Sequence, residues 1–166
     1  MTELNTRITQ ILFVLNKEDI LLQDVTKRLF NQSELSPIWL QKTLNTPEGI
    51  DRLESFTSKF SRMQDTFTDK LLPLFLRLSG EVPATAIDNL HRLEQLQIIN
   101  HADAWVDMRL LRNKLVHEYV ENIEELFNHL ILAKELSVEL HNSFQKIKSK
   151  IPSPTTRIRY KKGLAR

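Results

Sequence analysis

Scarce turn chemistry limits the fold of this chain more than any other feature of it. Three glycines and six prolines are spread over 166 residues, too few to punctuate the many short strands of an all-β fold. Long segments rich in Leu, Glu, Lys and Gln lie between these breaks, and such residues favour helix. The fold class expected is all-α, an up-and-down bundle of four to six helices. The length suits one domain with a proper core and is short for two.

The breaks place the helices. An Ile/Leu/Val stripe at helical spacing predicts a first helix over Glu3–Phe30, broken by Ser33 to Pro37, with a short apolar helix at Ile38–Leu44. Thr46-Pro47 reads as an N-cap followed by proline at the first helical position. That helix should continue through Phe56, Phe60, Met63, Phe67 and Leu72, kink at Pro73 and end at Gly80. A shorter helix is expected over Thr85–Gln97, and another from Ala102 to Tyr119. Asn122 reads as the N-cap of the last helix, with Glu124 and Glu125 in its first turn where the helix dipole favours acids. Residues 1–150 thus form the bundle, and residues 151–166, after Pro152 and Pro154, form a basic flexible C-terminal tail.

Charge divides along the same line. Eight basic residues and no acid follow Leu140, so the body carries −6 and this end +8. Arg157, Arg159, Lys161 and Lys162 are candidate phosphate contacts; a solvated tail that only aids solubility is the plain alternative. With no cysteine, disulfides, zinc–thiolate sites and thiol nucleophiles are excluded. The N-terminal apolar residues are interrupted by Lys17, Glu18 and Asp19, unlike a signal peptide. No segment approaches the roughly 18 apolar residues of a membrane span, and a cytoplasmic location is expected. The histidines other than His117 are scattered, and the Glu125/His129 pair is far short of a metal site. No glycine-rich phosphate loop, Gly-x-Ser-x-Gly elbow or nucleotidyltransferase signature occurs. No cofactor is implied.

The segment from Met108 to Tyr119 holds the chemistry. On a helix, Trp105, Met108, Leu111, Leu115, Val116 and Tyr119 fall between about −100° and +40° of Arg112. The arginine therefore projects from an apolar stripe and needs a partner, such as Asp65 or Asp69, or a water-filled cleft. Asn113 and His117 lie together at about 100° and 140°, beside Val106 and Leu110. Two apolar flanks suit packing on two sides, within the bundle and against a second subunit. Arg and His five apart also suit an ordinary polar helix edge.

The string Arg112-Asn113-Lys114-Leu115-Val116-His117-Glu118-Tyr119 resembles the Arg-x4-His motif of the HEPN family, in the Arg-x4-His-x-Tyr form of the HepT toxins. The stretches Phe60–Asp65 and Asp88–Glu94 are similar to the family branch that accompanies minimal nucleotidyltransferases, and the resemblance spans Phe60 to Phe127. It implies a metal-independent endoribonuclease acting as a homodimer, with two motifs facing each other across a cleft. His117 would be the general base or acid at the ribose 2′-OH. Arg112 would hold the scissile phosphate, with Asn113 orienting the phosphate or the imidazole and Arg109 adding a substrate contact. The family's toxins are neutralised by a partner nucleotidyltransferase that attaches AMP to the motif tyrosine, here Tyr119. The reading is thus an RNase toxin of a toxin–antitoxin pair. The alternative is a non-catalytic nucleotide- or substrate-binding subunit of a two-chain nucleotidyltransferase, and a plain structural bundle is the third possibility.

Overall fold

The computed structural model describes residues 2–117 and 122–152, the side chains of Val116 and His117 excepted. Six helices and no strand occur among the described residues. Helix α1 spans Glu3–Leu29 and α2 spans Pro37–Leu44. Helix α3 runs from 47 to 78 in three parts: α-helical over Pro47–Asp65, π-helical over Thr66–Leu71 and α-helical again over Leu72–Leu78. Helices α4, α5 and α6 span Ala86–Gln95, Ala102–His117 and Ile123–Lys150. The helical bundle expected from the sequence is therefore present among the described residues.

Side chains start most of these helices. Thr2, Ser36, Thr46, Thr85 and Asn122 each accept a backbone N–H from the first turn that follows, which satisfies donors a helix cannot use itself. Gly49, in the first turn of α3, is required by close approach: a Cβ there would sit 1.9 Å from the Thr43 carbonyl oxygen. The turn between α2 and α3 can close this tightly only without that carbon.

Two expected boundaries shift, each for a local reason. The helix expected to kink at Pro73 instead widens just before it, where the Leu72 N–H bonds to the Phe67 carbonyl. Proline lacks an N–H and its ring crowds the carbonyl four residues back, so one extra residue in the preceding turn relieves the conflict. The helix expected to reach Gln97 stops at Gln95. Gln97 takes φ 59°, its N–H bonds to the Glu94 carbonyl, and the Ile98 N–H bonds to Leu93. This left-handed closure is the one made at Gly80 (φ 80°) after α3. Glycine signals it in the sequence and glutamine does not.

The core follows the apolar stripes. Leu15, Leu22 and Val25 of α1 are fully buried, as are Phe56, Phe60 and Phe67 of α3 and Leu130, Leu140 and Phe144 of α6. An aromatic chain ties one end of the bundle together: Phe30 lies 5.6 Å from Trp39 and 5.2 Å from Phe56, and Trp39 lies 6.4 Å from Phe127. Helices α1 and α6 run antiparallel, since Asp19 meets His141 while the earlier Asn16 meets the later Lys148.

Candidate functional site

Helix α5 is held from both ends of its buried stripe. At its start, the Ala102 N–H donates to the Glu94 carboxylate of α4 at 2.6 Å, a charged acceptor at a helix N-terminus. Trp105 then stacks on Phe67 of the π-helical segment, ring centres 4.9 Å apart. Met108, Leu111 and Leu115 are buried beside it, as their spacing required. Helix α5 is thereby seated against the widened part of α3.

Two ion pairs cross this seam in parallel. Arg112 Nη1 donates to Asp65 Oδ2 at 2.6 Å, and Arg109 Nη2 to Asp69 Oδ1 at 2.6 Å. The arginines stand three apart on α5 and the acids four apart on α3, so each helix turns once between rungs. Of the partners open to Arg112, the structure selects Asp65. The pair is partly solvated, with the arginine side chain 25% exposed and the aspartate 41%. Arg112 Nε is nevertheless buried and meets no partner among the described residues, as are Trp105 Nε1, Gln64 Oε1 and Thr68 Oγ1 on the same two helices.

A groove of about 620 Å³ opens along this part of α3. Ser58, Ser61, Arg62, Asp65, Asp69 and Lys70 line it, and Leu115 of α5 closes one side. Hydroxyls and cations suit a polar anionic ligand, but Glu54, Asp65 and Asp69 carry the opposite charge. A phosphate would meet Arg109 and Arg112 beside carboxylates that already engage one nitrogen of each guanidinium.

Glu18 of α1 meets the same network. Thr66, in the groove wall, places its hydroxyl 3.1 Å from Glu18 Oε1, while Glu18 Oε2 is buried and finds no partner among the described residues. Burial pushes the Glu18 carboxyl above the usual carboxylate range, outweighing the Thr66 hydrogen bond and the charges of Arg62 and Lys70. A raised native pKa means that the folded state holds the extra proton between the unfolded and folded values, so stability falls as pH rises through that window. Glu18→Gln is expected to flatten that fall and to hold stability at neutral pH at or above that of the unmodified chain. Urea denaturation of both proteins from pH 4 to 8 checks it; a Gln variant less stable at every pH would contradict it.

The predicted site residues are brought together only in part. Arg109 and Arg112 share one seam, and Asn113 is exposed beside them. His117 is the last residue of α5 that is described, but its side chain is outside the described residues, as are Tyr119, Arg157, Arg159, Lys161 and Lys162. Val106 is half-buried and Leu110 is 58% exposed, so the flank beside Asn113 is open. Among the described residues no three His, Cys, Asp or Glu side chains are grouped to hold a metal ion, and no helix is long and apolar enough to cross a membrane.

Sequence reasoning missed Glu18 and the Asp19–His141 pair. His141 Nδ1 lies 2.8 Å from both oxygens of Asp19, whose side chain is 8% exposed. The available signal was an acid within the apolar stripe of α1 and a histidine next to the buried Leu140 of α6. No family model matches the chain, and no curated protein or solved structure is significantly similar to it.

Proposed function

We propose that this chain is a metal-independent endoribonuclease, the toxin of a toxin–antitoxin pair acting in the cytoplasm as a homodimer. Its antitoxin would be a minimal nucleotidyltransferase that attaches AMP to Tyr119. The observation that carries the proposal is the pairing of Arg112 with Asp65, an acid that lines the α3 groove, with Asn113 exposed next to Arg112 on α5. His117 follows on the same helix. In the proposed reaction His117 takes the 2′-OH proton as the oxygen attacks the adjacent phosphorus, and the 5′-oxygen leaves with a proton supplied by an acid. Arg112 steadies the charge that develops on the phosphate. The open Val106/Leu110 flank supports a dimer that faces two such edges together.

The engagement of Arg109 and Arg112 by Asp69 and Asp65 favours a second reading. A chain whose candidate phosphate-binding arginines are each already paired with an acid suits a non-catalytic subunit that presents substrate to a nucleotidyltransferase. Expression of this chain alone separates the two. Growth arrest with RNA cleavage, both lost in His117→Ala, is the outcome expected of the toxin. Unimpaired growth with intact RNA, at comparable soluble protein levels, would favour the binding subunit.

A further inference from the structure

Helix α1 turns an apolar stripe away from the bundle. Phe13 is 62% exposed, Val14 42%, Ile20 68% and Leu21 49%, so the described residues leave this face open. At 100° per residue the four fall within an arc of about 120°, with Lys17 and Asp24 inside it. The buried Ile8, Leu15 and Leu22 occupy the opposite side. Contiguous apolar surface of this kind marks a contact with another molecule.

The charges within the stripe identify the occupant. Lys17 stands three residues before Ile20, and Asp24 three residues after Leu21. We infer that this face is a self-interface, in which two copies of the chain pair their α1 helices antiparallel about a two-fold axis between Ile20 and Leu21. That arrangement sets Lys17 against the partner's Asp24 twice over, about 5 Å along the helix on either side of the axis. It also brings Arg28, which bonds to Asp24 within the chain at 2.9 Å, to the partner's Phe13. Phe13 already accepts a cation over its ring, since Lys17 Nζ lies 4.5 Å from the ring centre, and a second guanidinium suits the other face. A parallel pair would instead oppose Lys17 to Lys17 and Asp24 to Asp24, which like charges disfavour. This interface lies on a different helix from the α5 edge and does not depend on any nuclease activity. A chain with both contacts would assemble beyond a dimer, because two distinct two-fold interfaces cannot close within one pair.

The absence of cysteine from the chain makes a direct test simple, since one introduced thiol can form only an intermolecular disulfide. Ile20→Cys is expected to cross-link into a covalent dimer under mild oxidation. Phe13→Cys is not, because the antiparallel pairing sets the two thiols about 22 Å apart, far beyond disulfide reach. In sedimentation equilibrium, Lys17→Glu and Asp24→Lys are each expected to weaken self-association by about tenfold or more, through two like-charge contacts per pair. An equimolar mixture of these two variants, and the double variant alone, should regain the original association. Equal cross-linking at both positions, or none at Ile20→Cys, would overturn the interface. So would unchanged association in the single variants, or a mixture no tighter than its components. Binding of the unmodified chain to lipid vesicles, with no association in solution, would assign the stripe to a membrane surface and overturn it equally.

Discussion

Arg112→Ala is expected to leave the bundle folded while lowering RNA cleavage by about a hundredfold or more. The arginine pairs with the groove-lining Asp65, its one hydrogen-bond partner among the described residues. Asp65 is 41% exposed, so when its partner is removed water can solvate the carboxylate. Such half-exposed pairs contribute about 1 kcal/mol or less, and loss of the buried, unpartnered Nε offsets part of that. The catalytic cost is different in kind, because a preorganised donor at a developing phosphate charge is worth about 10²–10³ in rate. Arg112→Lys keeps the charge and loses the planar fork, so it should resemble the alanine variant in activity. Single-turnover cleavage and thermal melts on the three proteins separate the roles. A collapsed melting temperature in the alanine variant, with full activity in the lysine variant, would make Arg112 a structural tie between α3 and α5.

How much of this was legible beforehand depends on the kind of contact. The helices, the caps at Thr46 and Asn122 and the buried stripe of Trp105, Met108, Leu111 and Leu115 follow from spacing and capping chemistry, which are local. Asp65 was foreseeable as one of two acids within reach of Arg112. The π-helical turn at Thr66–Leu71 was not: proline predicts a disturbance, whereas packing decides whether the helix bends or widens. Glu18 and the Asp19–His141 pair escaped because their partners lie far away in sequence. A charged residue in an apolar stripe announces that it needs a partner without naming one.

His141→Ala is expected to be the most destabilising single change among the polar residues. Asp19 is nearly closed off from solvent, and His141 supplies its close contact; Gln145 Nε2 approaches only to 3.4 Å. Deleting the imidazole leaves a buried carboxylate without adequate compensation, which costs about 3 kcal/mol. His141→Ala combined with Asp19→Leu removes the stranded charge and should recover much of that loss, since a well-packed apolar replacement of a buried pair is often near neutral. Urea titrations of the single and double variants measure both effects. A single variant within about 0.5 kcal/mol of the parent, the range of ordinary surface changes, would show that the pair does not tie α1 to α6.

The central claim, that the α5 edge carries out RNA cleavage without a metal, is tested most directly by incubating the purified chain with a defined RNA in excess EDTA. The motif offers a base and a cation for attack by the 2′-OH, so fragments ending in a 2′,3′-cyclic phosphate are expected, with none from His117→Ala. RNA left intact in EDTA but cleaved once magnesium is restored, or equal cleavage by the His117→Ala variant, would contradict the assignment.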